Sequence, residues 1–480
     1  MPRRMPRLPW LALPLAYFLY FFGLTAAGMI GPDEPRYASI GREMARTGNW
    51  ITPRLWGAPW FEKPVLLYWM TGAAFRTGLG PDLAPRLPVA LLSVAFLVFF
   101  WWILWREFGC FIAWMATLIL ATSAGWCLYS QSGVTDIPLS ATFSAAMMLA
   151  IPWISKRDTR LLPLAGAFFA LAVLAKGPVA LILAAPLAVR WRDLPDWFRP
   201  KVILPFLLDA TPWYAACYLR NGAIFLNDFF WKHNVGRFTS SELQHGQPWW
   251  FYLPALAVLF LPWSALLPIA FRSPQDGDSR RPFLLLWALW PLVFFSLSVN
   301  KLPGYILPAF PAIAALIAIG LSEARRAAAW LAIGALLTAA FAIAAPLVDI
   351  GGLARGVHPV FQPIWLLPIP VAIAAWLLDV RRKRLAAVAC VACAAAAGIV
   401  YMKLQIGRKA FARELWISAE PHISETCVTR LERSWRYGLN YYSVDPLPDC
   451  SAGERRFQIV QSGDNSPVIG NNPRYVIDRQ

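Results

Sequence analysis

The sequence predicts an all-helical protein that crosses a membrane many times, and three features of its composition lead to this fold class. Of the 480 residues, 58% are hydrophobic and only 15% are charged, whereas soluble chains usually have about 25% charged residues. The mean hydropathy is +0.49. The 25 tryptophans and 41 prolines also indicate a membrane protein, because Trp is enriched at membrane interfaces and Pro is tolerated better in transmembrane helices than in soluble ones.

Apolar runs of about 17–25 residues are long enough to span a membrane, and shorter ones indicate tilted or re-entrant segments. The sequence contains thirteen candidate runs, at residues 9–29, 83–105, 110–129, 137–154, 161–174, 177–190, 201–218, 250–271, 282–299, 304–321, 327–346, 363–379 and 385–401. For the first run, a cleaved signal peptide is the alternative, since the start is Arg-rich and "LTAAG" follows. The length of the run and an otherwise even number of spans favour a retained helix.

The charges in the connecting segments support this count. If the Arg-rich N-terminus is cytoplasmic, every second short connector should be basic. The basic connectors contain Arg106, Lys156, Arg157, Arg160, Arg190, Arg192, Arg199, Lys201, Arg272, Arg280, Arg281, Arg325, Arg326, Arg381, Arg382, Lys383 and Arg384. The net charge of +17 is therefore attributed to cytoplasmic loops, and no nucleic-acid partner is expected. Three longer segments then lie outside, at 30–82, 219–249 and 402–480.

Residues 402–480 change character and predict a small soluble α/β domain after a membrane domain of residues 1–401. Its segments "RFQIVQS" and "RYVIDR" alternate as strands do. Cys427 and Cys450 favour a disulfide on the outer side, with two unpaired thiols as the alternative. Cys390 and Cys393 form a CxxC inside a predicted span, where small residues on a packed helix are the favoured interpretation.

The first outer segment opens with two carboxylates, Asp33 and Glu34, directly after the first span. Ionisable residues at a membrane boundary are costly and are therefore candidates for function. The following "YASIGREMARTG" (37–48) predicts a short amphipathic helix that lies in the interface plane and ends at a glycine. In "WGAPWFEKPVLLYWM" (56–70), Glu62 and Lys63 stand among aromatic anchors, and Pro64 suits the start of a second helix.

Further candidates follow along the outer side of the chain. Asp136 in "SQSGVTDIPLS" either belongs to the site or only caps the next helix. Lys176 in "LAKGPVA" either belongs to the site or only snorkels to the interface. The other candidates, in "FFWKHNVGRFTSSELQHGQPWWFY" and "NKLPGYILPAFPA", are Arg237, His245, Lys301 and Tyr305.

Taken together, these outer groups combine carboxylates, cations and a possible metal pair, Glu62 and His245. Lysines bind phosphate as point charges, and carboxylates serve as bases or metal ligands. The aromatic and aliphatic surroundings suit a lipid chain. The sequence therefore predicts a site for a lipid-linked phosphate with a base or a metal beside it. No Walker or Rossmann glycine motif occurs, so no nucleotide is expected.

In order along residues 9–320, the segments "PDEPRYASIGREM", "GNWITPRLWGAPWFEKPVLLYW", "TDIP", "AKGPVAL", "FFWKHNVGRF", "QHGQPWWFY" and "NKLPGYILPAFP" resemble a known family. They are similar to the bacterial 4-amino-4-deoxy-L-arabinose transferases of lipid A and to their relatives in the protein O-mannosyltransferase-like superfamily. These are integral-membrane glycosyltransferases of the GT-C type. After the last predicted span only the segment 402–480 remains, which is shorter than the lipid A enzymes lead us to expect.

The resemblance implies an enzyme that uses an undecaprenyl-phosphate sugar at the periplasmic face of the bacterial inner membrane. The acceptor would be lipid A or another envelope glycan. The implied catalytic acids are Asp33, its neighbour Glu34, and Asp136. The implied metal ligands are Glu62 and His245, for zinc or magnesium. The residues implied to bind the donor phosphate are Lys63, Arg36, Lys176, Arg237, Lys301 and Tyr305.

Two other functions fit parts of this pattern. A protein O-glycosyltransferase of the same fold would differ only in its acceptor. A transporter of the lipid-linked sugar would be expected to have internal repeats and charged residues near the middle of the bilayer. Here the charges lie at one edge and no repeat is found, which favours a transferase.

Overall fold

A computed structural model describes most of the chain. The described residues are 12–236, 246–271, 278–324, 327–344, 348–349, 352–353, 361–407, 412–450, 455–461 and 467–471. Within them the protein is mostly helical, as the composition predicts.

Seven helices are long and apolar enough to cross a membrane. They are Leu87–Phe108, Asp136–Lys156, Pro200–Asn221, Arg280–Leu297, Pro303–Glu323, Pro363–Val380 and Arg384–Ile406. A bent pair, Trp249–Leu259 and Trp263–Ala270, turns by 114° and makes an eighth candidate. Shorter apolar helices are Ala12–Phe21, Cys110–Ala121, Leu162–Lys176 and Ala328–Ala344.

One predicted run differs from the others. Residues 177–190 form a short α-helix, Val179–Leu183, and then enter an irregular 3-10 segment, Ala185–Phe198. Pro186 and Pro195 lie in that segment, and proline removes a helical hydrogen bond and clashes with the preceding turn. The protein is thus a multi-pass helical protein, and the count of thirteen spans stays a prediction.

The core of the bundle is formed by the helices Asp136–Lys156 and Pro303–Glu323, whose most apolar stretches are completely buried. Leu162–Lys176 packs on the first of them and in turn against Pro200–Asn221. The outer helices Pro200–Asn221 and Pro363–Val380 expose most of their apolar surface. Such a helix suits contact with lipid, because hydrocarbon does not penalise exposed apolar side chains.

The outer segment after the first helix forms the helix Asp33–Thr47, which we call the loop helix. It ends as predicted at Gly48, whose φ of 71° is in the left-handed region that glycine adopts without strain. It begins earlier than predicted, so the acid pair occupies its first turn, where the helix dipole favours negative charge. The second outer helix is Leu66–Arg76, which packs against the loop helix and starts two residues after Pro64.

The C-terminal domain, as we call residues 412–471, has three strands in the order Thr426–Thr429, Phe457–Val460 and Val468–Asn471. The first pair is parallel and the second is antiparallel. Helices Ala412–Ala419 and Arg433–Tyr442 pack together, and the second, which we call the domain helix, also lies against the loop helix.

Two expectations about cysteines are confirmed. Cys427 and Cys450 form a disulfide with a Cα–Cα distance of 5.0 Å. Cys390 and Cys393 are free cysteines on the helix Arg384–Ile406. The strand predicted in "RFQIVQS" is present, whereas "RYVIDR" lies outside the described residues.

Candidate active site

The two acids that open the loop helix have different surroundings. The Asp33 side chain is 32% exposed and pairs with Arg36 one turn later. The Glu34 side chain is 1% exposed. Adjacent residues on a helix point about 100° apart, so one acid faces the outside while the other faces the protein core.

Both oxygens of Glu34 are already bound. Arg86 donates to them from Nε at 2.8 Å and from Nη2 at 2.7 Å. The backbone N–H groups of Ile30 and Gly133 donate at 2.9 and 2.8 Å. With four donors on its carboxylate, Glu34 joins the loop helix to two other segments, and its predicted catalytic role stays a prediction.

The sequence analysis did not single out Arg86. It is 2% exposed and also donates to the carbonyls of Leu24, Ala27 and Gly28. These carbonyls follow the first helix, where no helical N–H reaches them. The sequence did contain a signal for this residue. Arg86 directly precedes a membrane span on its outer side, and a cation buried there requires a partner.

A first charged cluster lies between the loop helix and the following loop. Arg36 contacts Asp33, and its Nη1 donates to Glu62 Oε2 at 3.0 Å. Lys63 Nζ is 3.6 Å from Glu62 Oε1. Burial lowers the pKa of Arg36, but the carboxylates of Glu62 and Asp33 outweigh this effect and raise it above its ordinary value. Arg36 thus contacts both carboxylates, and its predicted contact with the donor phosphate stays a prediction.

A second cluster combines Asp136 and Lys176, which lie 40 residues apart in sequence. Lys176 Nζ donates to Asp136 Oδ1 at 2.7 Å and lies 4.5 Å from the ring centroid of Tyr305. Asp136 is the first residue of its helix and Lys176 is the last residue of another. The backbone at Gly304 lies directly beside this ion pair, because a Cβ atom on this glycine would be only 2.8 Å from Asp136 Oδ1. Three residues predicted from separate motifs thus meet at one place.

Tyr129 lies at the second cluster, because a Cβ atom on Gly304 would be 2.6 Å from its ring and 2.8 Å from Asp136 Oδ1. Its phenol accepts a hydrogen bond from the Gly304 backbone and interacts electrostatically with Asp136, Tyr305 and Asp33. The sequence analysis missed Tyr129, although it directly precedes the segment "SQSGVTDIPLS" that contains Asp136.

The remaining predicted residues divide into two groups. Lys301 Nζ donates to the carbonyl of Gln247 at 2.9 Å and contacts the carbonyl of Ser298. It therefore holds the segment that leads into the bent helix pair, and its predicted contact with the donor phosphate stays a prediction. Arg237 and His245 lie outside the described residues.

A divalent metal at Glu62 is disfavoured by its surroundings. The carboxylate faces the cations of Arg36 and Lys63, and like charges at this distance repel. In the part of the chain that the structure describes, no three His, Cys, Asp or Glu residues group as metal ligands would. The predicted second ligand, His245, lies outside the described residues, so the metal pair stays a prediction and no step below involves a metal.

The chain is similar in sequence to several known proteins. The profile of the dolichyl-phosphate-mannose-protein mannosyltransferase family matches residues 11–217. The chain is 36% identical over 346 residues to the undecaprenyl phosphate-alpha-4-amino-4-deoxy-L-arabinose arabinosyl transferase of Pseudomonas paraeruginosa (strain DSM 24068 / PA7), covering 68% of this chain and 62% of the relative. It is 34% identical over 346 residues to the enzyme of the same name from Aeromonas salmonicida (strain A449), covering 67% and 62%. The chain thus spans about three fifths of the length of these curated relatives.

Solved structures show the same fold. ArnT from Cupriavidus metallidurans bound to undecaprenyl phosphate matches with a TM-score of 0.75 at 24% identity, covering 94% of this chain and 93% of that one. The archaeal oligosaccharyltransferase AglB from Archaeoglobus fulgidus matches with a TM-score of 0.51 at 13% identity, covering 94% and 69%. The chain is thus similar in sequence to the dolichyl-phosphate-mannose-protein mannosyltransferase family and to the aminoarabinose transferases, and it has the fold of ArnT.

Proposed function

We propose that the protein transfers a sugar, 4-amino-4-deoxy-L-arabinose, from undecaprenyl phosphate to lipid A. The observation that carries this proposal is the position of Asp33, the most exposed of the four site carboxylates, beside two clusters of buried ion pairs. An accessible carboxylate next to buried lysines suits a reaction in which a phosphate leaves. The names of the relatives supply the sugar and its carrier.

For the topology, we propose thirteen spans with a cytoplasmic N-terminus, so that the clusters and the C-terminal domain are periplasmic. The alternation of basic connectors supports this orientation. The disulfide in the C-terminal domain supports it independently, since disulfides persist outside the reducing cytoplasm.

In the reaction, the bond between the anomeric carbon and the phosphate oxygen breaks, and undecaprenyl phosphate leaves with that electron pair. Lys63 and Lys176 are placed to stabilise the charge that develops on this phosphate. Each lysine lies against a carboxylate, Glu62 and Asp136 respectively. These ion pairs hold the ammonium groups at a defined place inside the protein, from which they can also contact the donor phosphate.

The role of Asp33 depends on the acceptor. A phosphate oxygen of lipid A is already anionic and attacks without losing a proton, so Asp33 would orient the reactants, including the cationic amine of the sugar. A hydroxyl acceptor would transfer its proton to Asp33 as general base. In both cases Arg36, which contacts the carboxylate, fixes its direction.

The proposal is tested by mass spectrometry of lipid A from cells with and without the gene. The expected result is the gene-dependent addition of one aminoarabinose to a lipid A phosphate. An unchanged lipid A in cells that contain the folded protein and the donor would contradict the proposal.

Transfer to protein is the second candidate, and the match to a protein mannosyltransferase family profile favours it. Its test is glycoproteomics of the same two strains. A gene-dependent sugar on Ser or Thr of periplasmic proteins, with lipid A unchanged, would replace the first proposal with the second.

A further inference from the structure

A cleft of about 210 Å³ lies between the loop helix and the C-terminal domain, away from the two charged clusters. The loop helix lines it with Ser39, Arg42 and Arg46. Trp56 lines it from the turn that follows, and Asp445 from the C-terminal domain. The proposed reaction uses none of these residues, so the cleft needs an explanation of its own.

Two arginines face this cleft one helical turn apart. Like charges at this spacing destabilise a helix. Arg42 Nη2 donates to the Tyr441 carbonyl at 2.7 Å, and its guanidinium lies 4.4 Å from the centroid of that tyrosine ring. Burial lowers the pKa of Arg42, and the Arg46 charge lowers it further, while the Tyr441 phenol and Asp445 act in the opposite direction. A bound anion would relieve the repulsion between the two guanidinium groups.

Two carboxylates, Glu43 and Asp445, also line the cleft and balance its formal charge. Both Glu43 oxygens lie 3.2 Å from the Gly57 backbone nitrogen, so this acid holds the turn that carries Trp56. Asp445 is exposed at the rim. The cleft therefore offers two guanidinium groups and an exposed carboxylate at its edge, which suits a ligand that carries both a phosphate and hydroxyl or amino groups.

Two buried donors in the cleft have no hydrogen-bond partner among the described residues. These are Ser39 Oγ, in a residue that is 4% exposed, and the indole Nε1 of Trp56. An unsatisfied buried polar group costs about 1–3 kcal/mol and requires an explanation in a native protein. Val444 lines the same cleft with a φ of 72°, an outlier for a β-branched residue of the kind that clusters at ligand sites.

The cleft is connected to the reaction centre through one aromatic residue. Trp56 stacks on Tyr437 of the domain helix at 5.8 Å between ring centroids. Tyr437 in turn lies 5.3 Å from the guanidinium of Arg36, which pairs with Asp33. Along the loop helix, Asp33 and Arg42 are separated by about 13 Å at the α-helical rise, a distance that a short saccharide spans.

We propose that this cleft is an acceptor subsite that binds a phosphorylated saccharide headgroup at a point remote from the reacting oxygen. The inference rests on the proposed function and extends it. Arg42 and Arg46 bind the remote phosphate, and Ser39 and Trp56 donate to sugar oxygens. The C-terminal domain is then one wall of the acceptor site and determines which acceptor is used.

The test uses the purified full-length protein in detergent micelles with a saturating undecaprenyl-phosphate sugar. Lipid A that carries two phosphates is compared with lipid A that carries only the reacting one. We expect Arg46→Gln and Ser39→Ala to raise the KM for the diphosphorylated acceptor, by about ten-fold for the arginine. The kcat and the donor KM should stay near those of the unaltered protein. For the monophosphorylated acceptor, Arg46→Gln should have little further effect.

Arg76→Gln is the matched control, because Arg76 is exposed on the same outer segment but does not line the cleft. An unchanged acceptor KM in both Arg46→Gln and Ser39→Ala would overturn the inference. Competition by phosphatidylglycerol vesicles as strong as that by diphosphorylated lipid A would do the same, since it would indicate a general anionic-lipid site.

A direct binding measurement separates this inference from the proposed function. If the unaltered protein transfers no sugar but binds diphosphorylated lipid A more tightly than Arg46→Gln does, the transferase proposal fails and the cleft stands. If transfer occurs and both proteins bind the acceptor equally, the cleft assignment fails alone.

Discussion

Replacing Glu34 by Gln tests whether this acid positions the site or takes part in the reaction. Each Glu34 oxygen accepts one hydrogen bond from Arg86 and one from a backbone N–H. A glutamine amide must turn its NH₂ group toward one of these donor pairs, so two hydrogen bonds are lost in either orientation. The loss also leaves Arg86 buried without its counter-charge, which costs about 3–5 kcal/mol.

Because Arg86 keeps its three carbonyl partners, we expect Glu34→Gln to lower the free energy of unfolding by about 3 kcal/mol, the lower end of that range. The assay heats the detergent-solubilised protein and measures the fraction that stays monodisperse in size-exclusion chromatography. Glu34→Gln should lower the midpoint temperature clearly, whereas Asp33→Asn, at a partly exposed site, should hardly change it. A Glu34→Gln variant with unaltered thermal stability and no transfer would refute this reasoning and return Glu34 to catalysis.

The other predictions concern activity. Asp33→Asn should reduce kcat by at least about 100-fold if Asp33 is a general base, measured by transfer from labelled donor; a fully active variant would remove Asp33 from the reaction. Asp136→Asn and Lys176→Gln should each impair transfer, and the double variant should lose much less than the sum, since they form one ion pair; strictly additive losses would show that the pair is not a functional unit. Removing the Cys427–Cys450 disulfide, by serine at both positions, should destabilise the C-terminal domain by about 3 kcal/mol, as measured by limited proteolysis of that domain. Equal protease resistance with and without the disulfide would contradict this prediction.

Much of the helical architecture could be predicted because hydropathy and periodicity are local properties. The loop helix shows both the strength and the limit of such signals. Its apolar residues Tyr37, Ile40 and Met44 are buried inside the protein, and its end at Gly48 follows the prediction. Its start was missed by four residues, because the favourable interaction of Asp33 with the helix N-terminus depends on where the preceding chain turns.

The candidate residues were also visible in the sequence, since ionisable groups at a membrane edge stand out against apolar neighbours. Their partners were not visible. Asp136 and Lys176 each had a plausible local explanation, as a helix cap and as a snorkelling lysine. Only the packing of their helices brings them to 2.7 Å.

The sequence by itself determined that this protein is a multi-pass membrane helix bundle, and it predicted the chemistry at one edge, because burial of charge is costly everywhere else. The tertiary structure decided how the acid pair divides its work. Glu34 meets Arg86, which is 52 residues away, and becomes part of the buried framework. Asp33 stays accessible beside Arg36. Adjacent residues with the same functional group thus differ because a helix turns them toward different surroundings, which no local pattern specifies.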